Sequence, residues 1–146
     1  MNRLGHLGFS LLFLSPLLNF TPFSDFLVVI TAAMLPDIDL VLRIEHRKYT
    51  HNIAFASIVA ILFHVLLAAP MLSILVFLSV LLHVFADLMT KQKFAPLYPF
   101  SKKKFAFKLF RSDNKPVNYT FFLLGLISFA HFSNTADVLR LIKFIW

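Results

Sequence analysis

The 146-residue chain contains no cysteine, which removes disulfides, thiolate zinc sites and cysteine nucleophiles together. Any metal it holds must bind through nitrogen and oxygen. Acids are also scarce, with seven Asp and Glu against 14 Lys and Arg for a formal charge of +7, and charged residues make up only 14% of the chain. Between residues 52 and 70 there is no Lys, Arg, Asp or Glu. What is abundant is apolar: 59% of residues are hydrophobic and the mean hydropathy is +0.80, whereas an ordinary soluble domain is about 45–50% apolar. A chain this short leaves too much of its surface wet to hide that excess in a soluble core. Lipid is the simplest solvent for it.

The apolar residues fall into segments that predict an all-α, polytopic membrane bundle of about four to five short hydrophobic helices. Residues 52–70 read as a strong span, since a helix of that length rises about 28 Å, close to the hydrocarbon thickness. Residues 71–87 follow immediately after Pro70, so the two predict a helical hairpin with a tight turn. Residues 117–132 give a third, shorter candidate. Nearer the N-terminus, residues 7–18 are interrupted by Pro16, Asn19 and Pro22 before the apolar run resumes over 23–35. Each half is short for a crossing, which fits two thin spans or a re-entrant hairpin. Arg3 ahead of an apolar run has the outline of a signal peptide, but no small-x-small site follows before Asp25, so this segment is expected to stay in the mature protein. The tail, with Arg140, Lys143 and Trp146, predicts an amphipathic interfacial helix. We expect one membrane-embedded domain over residues 1–146, with a basic connection at 91–116 and C-terminal helices at 117–146.

Basic residues lie at Arg3, at Arg43, Arg47 and Lys48, and at eight positions from Lys91 to Lys115, while the turns near residues 16–25 and at Pro70 have none. The positive-inside rule then predicts that the N-terminus and the connections at 36–51 and 91–116 are cytoplasmic. The run Lys102, Lys103, Lys104 and Lys108, alternating with Phe105 and Phe107, is most simply an inner-leaflet anchor at about 1 kcal/mol per charge. Nucleic acid is the weaker partner for it, because the topology already accounts for the lysines.

With that topology, four separate stretches reach one membrane depth: His6; Asp37 and Asp39 beside Pro36; His46 and His51; and His83, Asp87 and Thr90. Four of the six histidines and three of the seven acids lie in these stretches. His83 and Asp87, four apart, share a helix face with Thr90. Ionisable groups at membrane depth need partners. Asp37 and Asp39 are about 200° apart on an ideal helix, so both can face one ion only if Pro36 breaks the helix. Carboxylates with imidazoles suit Zn, Mn or Fe, and seven ligands exceed one tetrahedral site, which would suit one or two ions. Thr50 or Asn52 is expected to cap the helix that follows. His64 and His131 are too far along their helices to join and are expected to be interhelical hydrogen-bond partners. The bland alternatives are an ion pair for His83 with Asp87, an interfacial role for His6, and solvated carboxylates for Asp37 and Asp39.

In order and type, His6, Pro36-Asp37-Ile38-Asp39, His46-Arg47, Thr50-His51, His83, Asp87 and Thr90, followed by Pro96 to Ser101, resemble the YdjM-like, LexA-regulated family of membrane-bound, metal-dependent hydrolases. The resemblance spans roughly residues 5–101. It departs at Lys48 and Asn52, where small residues are usual, at Lys93 in place of glycine, and at Tyr98 in place of tryptophan. It implies a cytoplasmic-membrane location, a helical fold and hydrolase activity, with no particular substrate.

These readings combine into a candidate centre of His6, Asp37, Asp39, His46, His51, His83 and Asp87, expected to hold one or two divalent ions, Zn or Mn. Asp39 and His46 are the candidate catalytic groups, with Asp39 available as general base. Arg47, Lys48, Thr90 and Lys91 would contact substrate, either a small molecule or a phosphoester such as a lipid head group. A metal-ion or proton transporter is the main alternative, since intramembrane His and Asp also mark ion pathways. A non-catalytic structural bundle is the third. No oligomeric state is implied.

Overall fold

A computed structural model describes residues 1–134. Six α-helices occur among these residues: α1 (Arg3–Leu14), α2 (Phe23–Ala32), α3 (Ile38–Leu42), α4 (Ile53–Leu67), α5 (Pro70–Leu88) and α6 (Lys115–Phe132). Short 3-10 turns at Ser15–Asn19 and Leu35–Asp37 join the first three. The described residues contain isolated β-bridges but no strand. The expected amphipathic tail falls almost wholly on residues 135–146, outside the described residues.

The central helix is α5. It opens on Pro70, where a missing N–H costs nothing. Its buried side chains include Leu72, Leu75, Val76, Ser79, Val80, His83, Val84 and Asp87, a stripe at three- and four-residue spacing whose residues before the last turn and a half are apolar apart from Ser79. The stripe meets Val29 and Ala32 of α2 and Ala56 and Val59 of α4. Ser79 Oγ donates 2.6 Å to the Val29 carbonyl, tying α5 to α2 where no water would satisfy it.

Helix α6 returns to pack on α1 through glycine. A Cβ on Gly8 would run into the Phe122 backbone, and one on Gly125 would lie 2.8 Å from Gly8 Cα, so the two backbones approach as in small-residue membrane contacts. Asn118 fastens the same corner: its Oδ1 accepts from the Asn2 N–H at 3.2 Å and its Nδ2 donates to the Asn114 and Ser112 carbonyls. These contacts fix the start of α1 on α6, while Phe9 against Phe85 and His6 against His83 set it beside the end of α5.

Of the described helices, only α5 is long and apolar enough to cross a bilayer. The expected span over residues 52–70 yields a shorter helix of 15 residues, about 22 Å long. Asn52 caps it, its side chain accepting from the Phe55 N–H at 2.9 Å. At the far end Ala68 turns left-handed (φ 48°) and its N–H caps the His64 carbonyl at 2.9 Å, so the hairpin turn consumes residues the apolar run had offered. The first hairpin is shorter still, with 12 residues in α1 and 10 in α2. The outer faces carry large exposed apolar residues, including Ile58, Ile61, Val65, Ile74, Leu123 and Ile127. Such a belt suits lipid.

Candidate metal centre

Four elements deliver polar side chains to one end of α5. His6 comes from the second turn of α1, Asp37 from the 3-10 turn that Pro36 starts, His51 from the loop before α4, and His83 and Asp87 from the last turns of α5. All but Asp37 are fully buried or nearly so. His51 Nε2 lies 3.3 Å from His83 Nε2, 3.4 Å from Asp87 Oδ2 and 3.5 Å from Asp37 Oδ1. His83 Nε2 is 3.7 Å from Asp37 Oδ1, and His6 stacks on the His83 ring with centroids 3.7 Å apart.

The hydrogen-bond inventory fixes which ring nitrogens carry protons. The Ala33 carbonyl can only accept, so His83 Nδ1 donates to it at 2.7 Å and Nε2 keeps its lone pair. Thr50 gives its single hydroxyl proton to Asp39 Oδ2 at 2.9 Å, so it accepts from His51 Nδ1 at 3.0 Å. The neutral His51 ring therefore also presents a lone pair at Nε2. Two lone pairs facing each other across 3.3 Å need a cation between them, whether a shared proton or a metal ion. Nearby, Asp87 Oδ2 and both nitrogens of His6 are buried with no hydrogen-bond partner. His6 Nε2 lies 3.2 Å from Asp87 Oδ1 but at an angle that makes no hydrogen bond. Donor atoms bonded at about 2.0–2.1 Å to a tetrahedral ion are about 3.3 Å from one another. The donor separations here cluster around that value, and the set is all nitrogen and oxygen, so these residues fit a transition-metal ion.

The other oxygen of Asp87 is saturated. Oδ1 accepts from the Met1 amine and, at 2.8 Å, from Arg47. Arg47 is itself buried, and its guanidinium also donates to Thr90 Oγ1 at 3.1 Å. Thr90 in turn donates to the Asp87 carbonyl at 2.8 Å. Arg47 and Thr90 thus hold Asp87 in place and leave Oδ2 facing the imidazoles.

Asp39 sits on the opposite side of the His51 ring. It accepts from His46 Nδ1 at 3.0 Å, the Arg47 N–H at 3.0 Å and Thr50, and lies 3.3 Å from His51 Nδ1. The left-handed backbone of Arg47 (φ 63°) aims its N–H at this carboxylate. Asp37 and Asp39 do point apart, and His51 stands between them. Burial pushes the Asp37 carboxyl up, but the imidazole of His51 against it and those of His83 and His6 nearby outweigh this and hold the group at about 2. Burial likewise raises Asp39, and the donors from Arg47, His46 and Thr50 more than reverse it, so it stays below the usual range.

Three overlapping groups could hold a metal ion: His6, His83 and Asp87; Asp37, His51 and His83; and Asp39, His46 and His51. His64 and His131 are exposed and belong to none of them. A cleft of about 580 Å³ opens beside the third group. Partly exposed His46 and buried Arg47 form its inner wall, with Lys48, Lys93, Lys102 and Lys104 around it. Lys48 lines this cleft, whereas Lys91 lines a separate depression with Arg111 and Asp113. Sequence reasoning missed Lys93, Lys102, Lys104 and Tyr98 as cleft residues. A partial signal was available in the two-residue spacings of Lys102 with Lys104 and of Phe105 with Phe107, which put the pairs on opposite faces of an extended segment.

Neither a search of curated proteins nor one of solved structures gave a match. The model of the YdjM inner membrane protein family matches residues 1–146, and the chain belongs to that family.

Proposed function

We propose that this protein is a membrane-bound, metal-dependent hydrolase whose metal is held by His6, Asp37, His51, His83 and Asp87 at the cytoplasmic interface. The observation that carries this reading is the pair of facing imidazole lone pairs beside an unpaired, buried Asp87 oxygen. An unsatisfied buried polar atom costs about 1–3 kcal/mol, and a cation among these donors removes that cost at several atoms together. Zinc suits the donor set best, with Mn as the alternative. The cytoplasmic orientation is supported by the basic residues grouped on the same connections as the site.

A zinc ion bound here supplies Lewis acidity, which activates water and stabilises charge developing on a phosphoryl or carboxyl oxygen. The residues of the chain do the rest. Asp39, acting through Thr50, holds His51 in the tautomer that turns Nε2 inward, as carboxylates commonly do for metal-binding histidines. The Ala33 carbonyl does the same for His83. Arg47 and Thr90 orient Asp87. His46 accepts from Arg47 Nε at Nε2 (3.3 Å) and donates to Asp39 at Nδ1, and it is the member of that pair that faces the cleft. Once substrate draws the Arg47 Nε–H away, His46 Nε2 is free to take a proton from an attacking water and return it to the leaving oxygen, with Asp39 stabilising the imidazolium so formed. Asp39, full of donors, serves as orienter in place of ligand, so one ion accounts for the arrangement. The substrate that suits the cleft is a phosphoester.

Elemental analysis of detergent-purified protein tests the centre. Wild type should carry about one equivalent of transition metal and His83→Ala none. Metal-replete wild type that purifies empty would end the hydrolase reading. Uptake of metal into sealed vesicles, abolished by Asp87→Ala, would replace it with transport.

A further inference from the structure

The geometry points to the cleft beside His46 as a binding site for a phosphate-bearing lipid head group, with Lys93, Lys102 and Lys104 as its anion-binding residues and Tyr49 and Tyr98 as its aromatic wall. This deepens the hydrolase reading and rests on it only for the chemistry that follows binding.

Charge selects the ligand class. Of the five cations lining the cleft, Arg47 is committed to Asp87 and Lys48 to Glu45, at 2.5 Å. Glu45 is the one acid on the lining, and that pairing occupies it. Lys93, Lys102 and Lys104 line the same cleft, are exposed, and form no ion pair among the described residues. Three uncommitted ammonium groups around one concavity present an unbalanced positive field, which a phosphate neutralises. A volume of about 580 Å³ lies within the ordinary range for small-ligand sites.

The segment that supplies two of these lysines also argues for a lipid source. Residues 101–110 run extended beside the end of α5, with Phe107 N–H on the Leu88 carbonyl at 2.7 Å, Leu109 N–H on Met89 at 2.9 Å, and Phe105 bridged to Phe94. An extended chain alternates its faces. Lys102 and Lys104 turn to the cleft, while Phe105, Phe107 and Leu109 turn to the other side and are about half exposed or more. Phe107 packs on Phe85 of α5, which is itself 48% exposed, so this apolar face continues the outer surface of the spanning helix. Phe100, at 85% exposure, stands in the turn just before this segment. Such a strap lies at the level of the head groups, apolar side toward acyl chains and lysines toward phosphate. The wall of His46, whose ring meets that of His51 at 5.0 Å, then separates the bound phosphate from the metal centre by one side chain.

The test uses full-length protein in neutral detergent and fluorescent phosphatidate, titrated by anisotropy, with phosphatidylcholine, glycerol 3-phosphate and inorganic phosphate as competitors. Metal content is measured on every sample. Phosphatidate should bind saturably, and Lys93→Gln/Lys102→Gln/Lys104→Gln should weaken it by at least roughly tenfold. The off-cleft triple Lys91→Gln/Lys103→Gln/Lys108→Gln, equal in charge, should stay within about twofold of wild type. Metal content should be the same in all three. Equal losses in both triples, or competition by phosphatidylcholine as strong as by phosphatidate, would overturn the site. Glycerol 3-phosphate or inorganic phosphate competing as well as phosphatidate would overturn the lipid source. Wild type without metal that still binds phosphatidate through the cleft lysines would support this inference while ending the hydrolase reading.

Discussion

The two sides of the His51 ring hold the same residue types and do different things. On the Nε2 side, His83, His6, Asp37 and Asp87 converge with lone pairs facing one another and three side-chain atoms of His6 and Asp87 lacking any hydrogen bond. On the Nδ1 side, Asp39 and His46 meet Thr50 and Arg47 in a network where Asp39 is fully supplied with donors. The lesson is that donor inventory, more than the presence of His and Asp, separates a ligand from the residue that orients it. A saturated carboxylate has nothing left to offer an ion.

That contrast can be broken most directly on the Nε2 side. His83→Ala or Asp87→Ala should abolish stoichiometric metal, read by elemental analysis, because each removes a donor that no neighbour can replace. If either variant kept full metal, the two sides would be indistinguishable. On the Nδ1 side, Asp39→Asn should leave the stoichiometry intact at saturating metal but weaken affinity about 10- to 100-fold, measured by competition with a chelator, as loss of an orienting carboxylate does. Complete loss of metal there would make Asp39 a ligand after all.

Acid should release the metal in a way that reports the same division. Asp37 at about 2 and Asp39 below its usual range both stay ionised through neutral and mildly acidic pH. Only the imidazoles then compete for protons. Protons added at the ring nitrogens compete with the metal, so occupancy at limiting metal should fall on acidification while both carboxylates are still ionised. Release only near pH 2, where Asp37 takes up its proton, would assign the competition to carboxylates instead. The smaller effects come last. Thr50→Val should cost only a few-fold in metal affinity, about 1 kcal/mol, since Asp39 can still accept directly from His51. His64→Ala, on the exposed face of α4, should change neither metal content nor affinity in the same chelator assay.

Much of the site was legible in the sequence because its grouping follows from topology. Charges absent from residues 52–70 and concentrated at 43–48 and 91–115 set which ends of the helices meet, so the gathering of His6, Asp37, His51, His83 and Asp87 could be foreseen from hydropathy and spacing. Two things could not. The role of Arg47 was one: a basic residue in a loop reads as a rim cation, and only its left-handed backbone and the packing of Thr90 turn it inward to Asp87. The cleft was the other, since Lys93, Lys102 and Lys104 come together when residues 101–110 fold back along the end of α5. Helix lengths were also overestimated where a turn, as at Ala68, draws on apolar residues.

By itself the sequence determined the solvent and the ligand chemistry. Its hydropathy demands an apolar surround, and without cysteine any metal must bind nitrogen and oxygen, because these depend on composition and hold for any arrangement of the chain. The tertiary structure alone decided which oxygen of Asp87 is free, which nitrogen of each imidazole faces inward, and that Asp37 and Asp39 flank His51 on opposite sides. Those assignments follow from where single protons are shared, and proton sharing is a matter of distances between residues far apart in the chain.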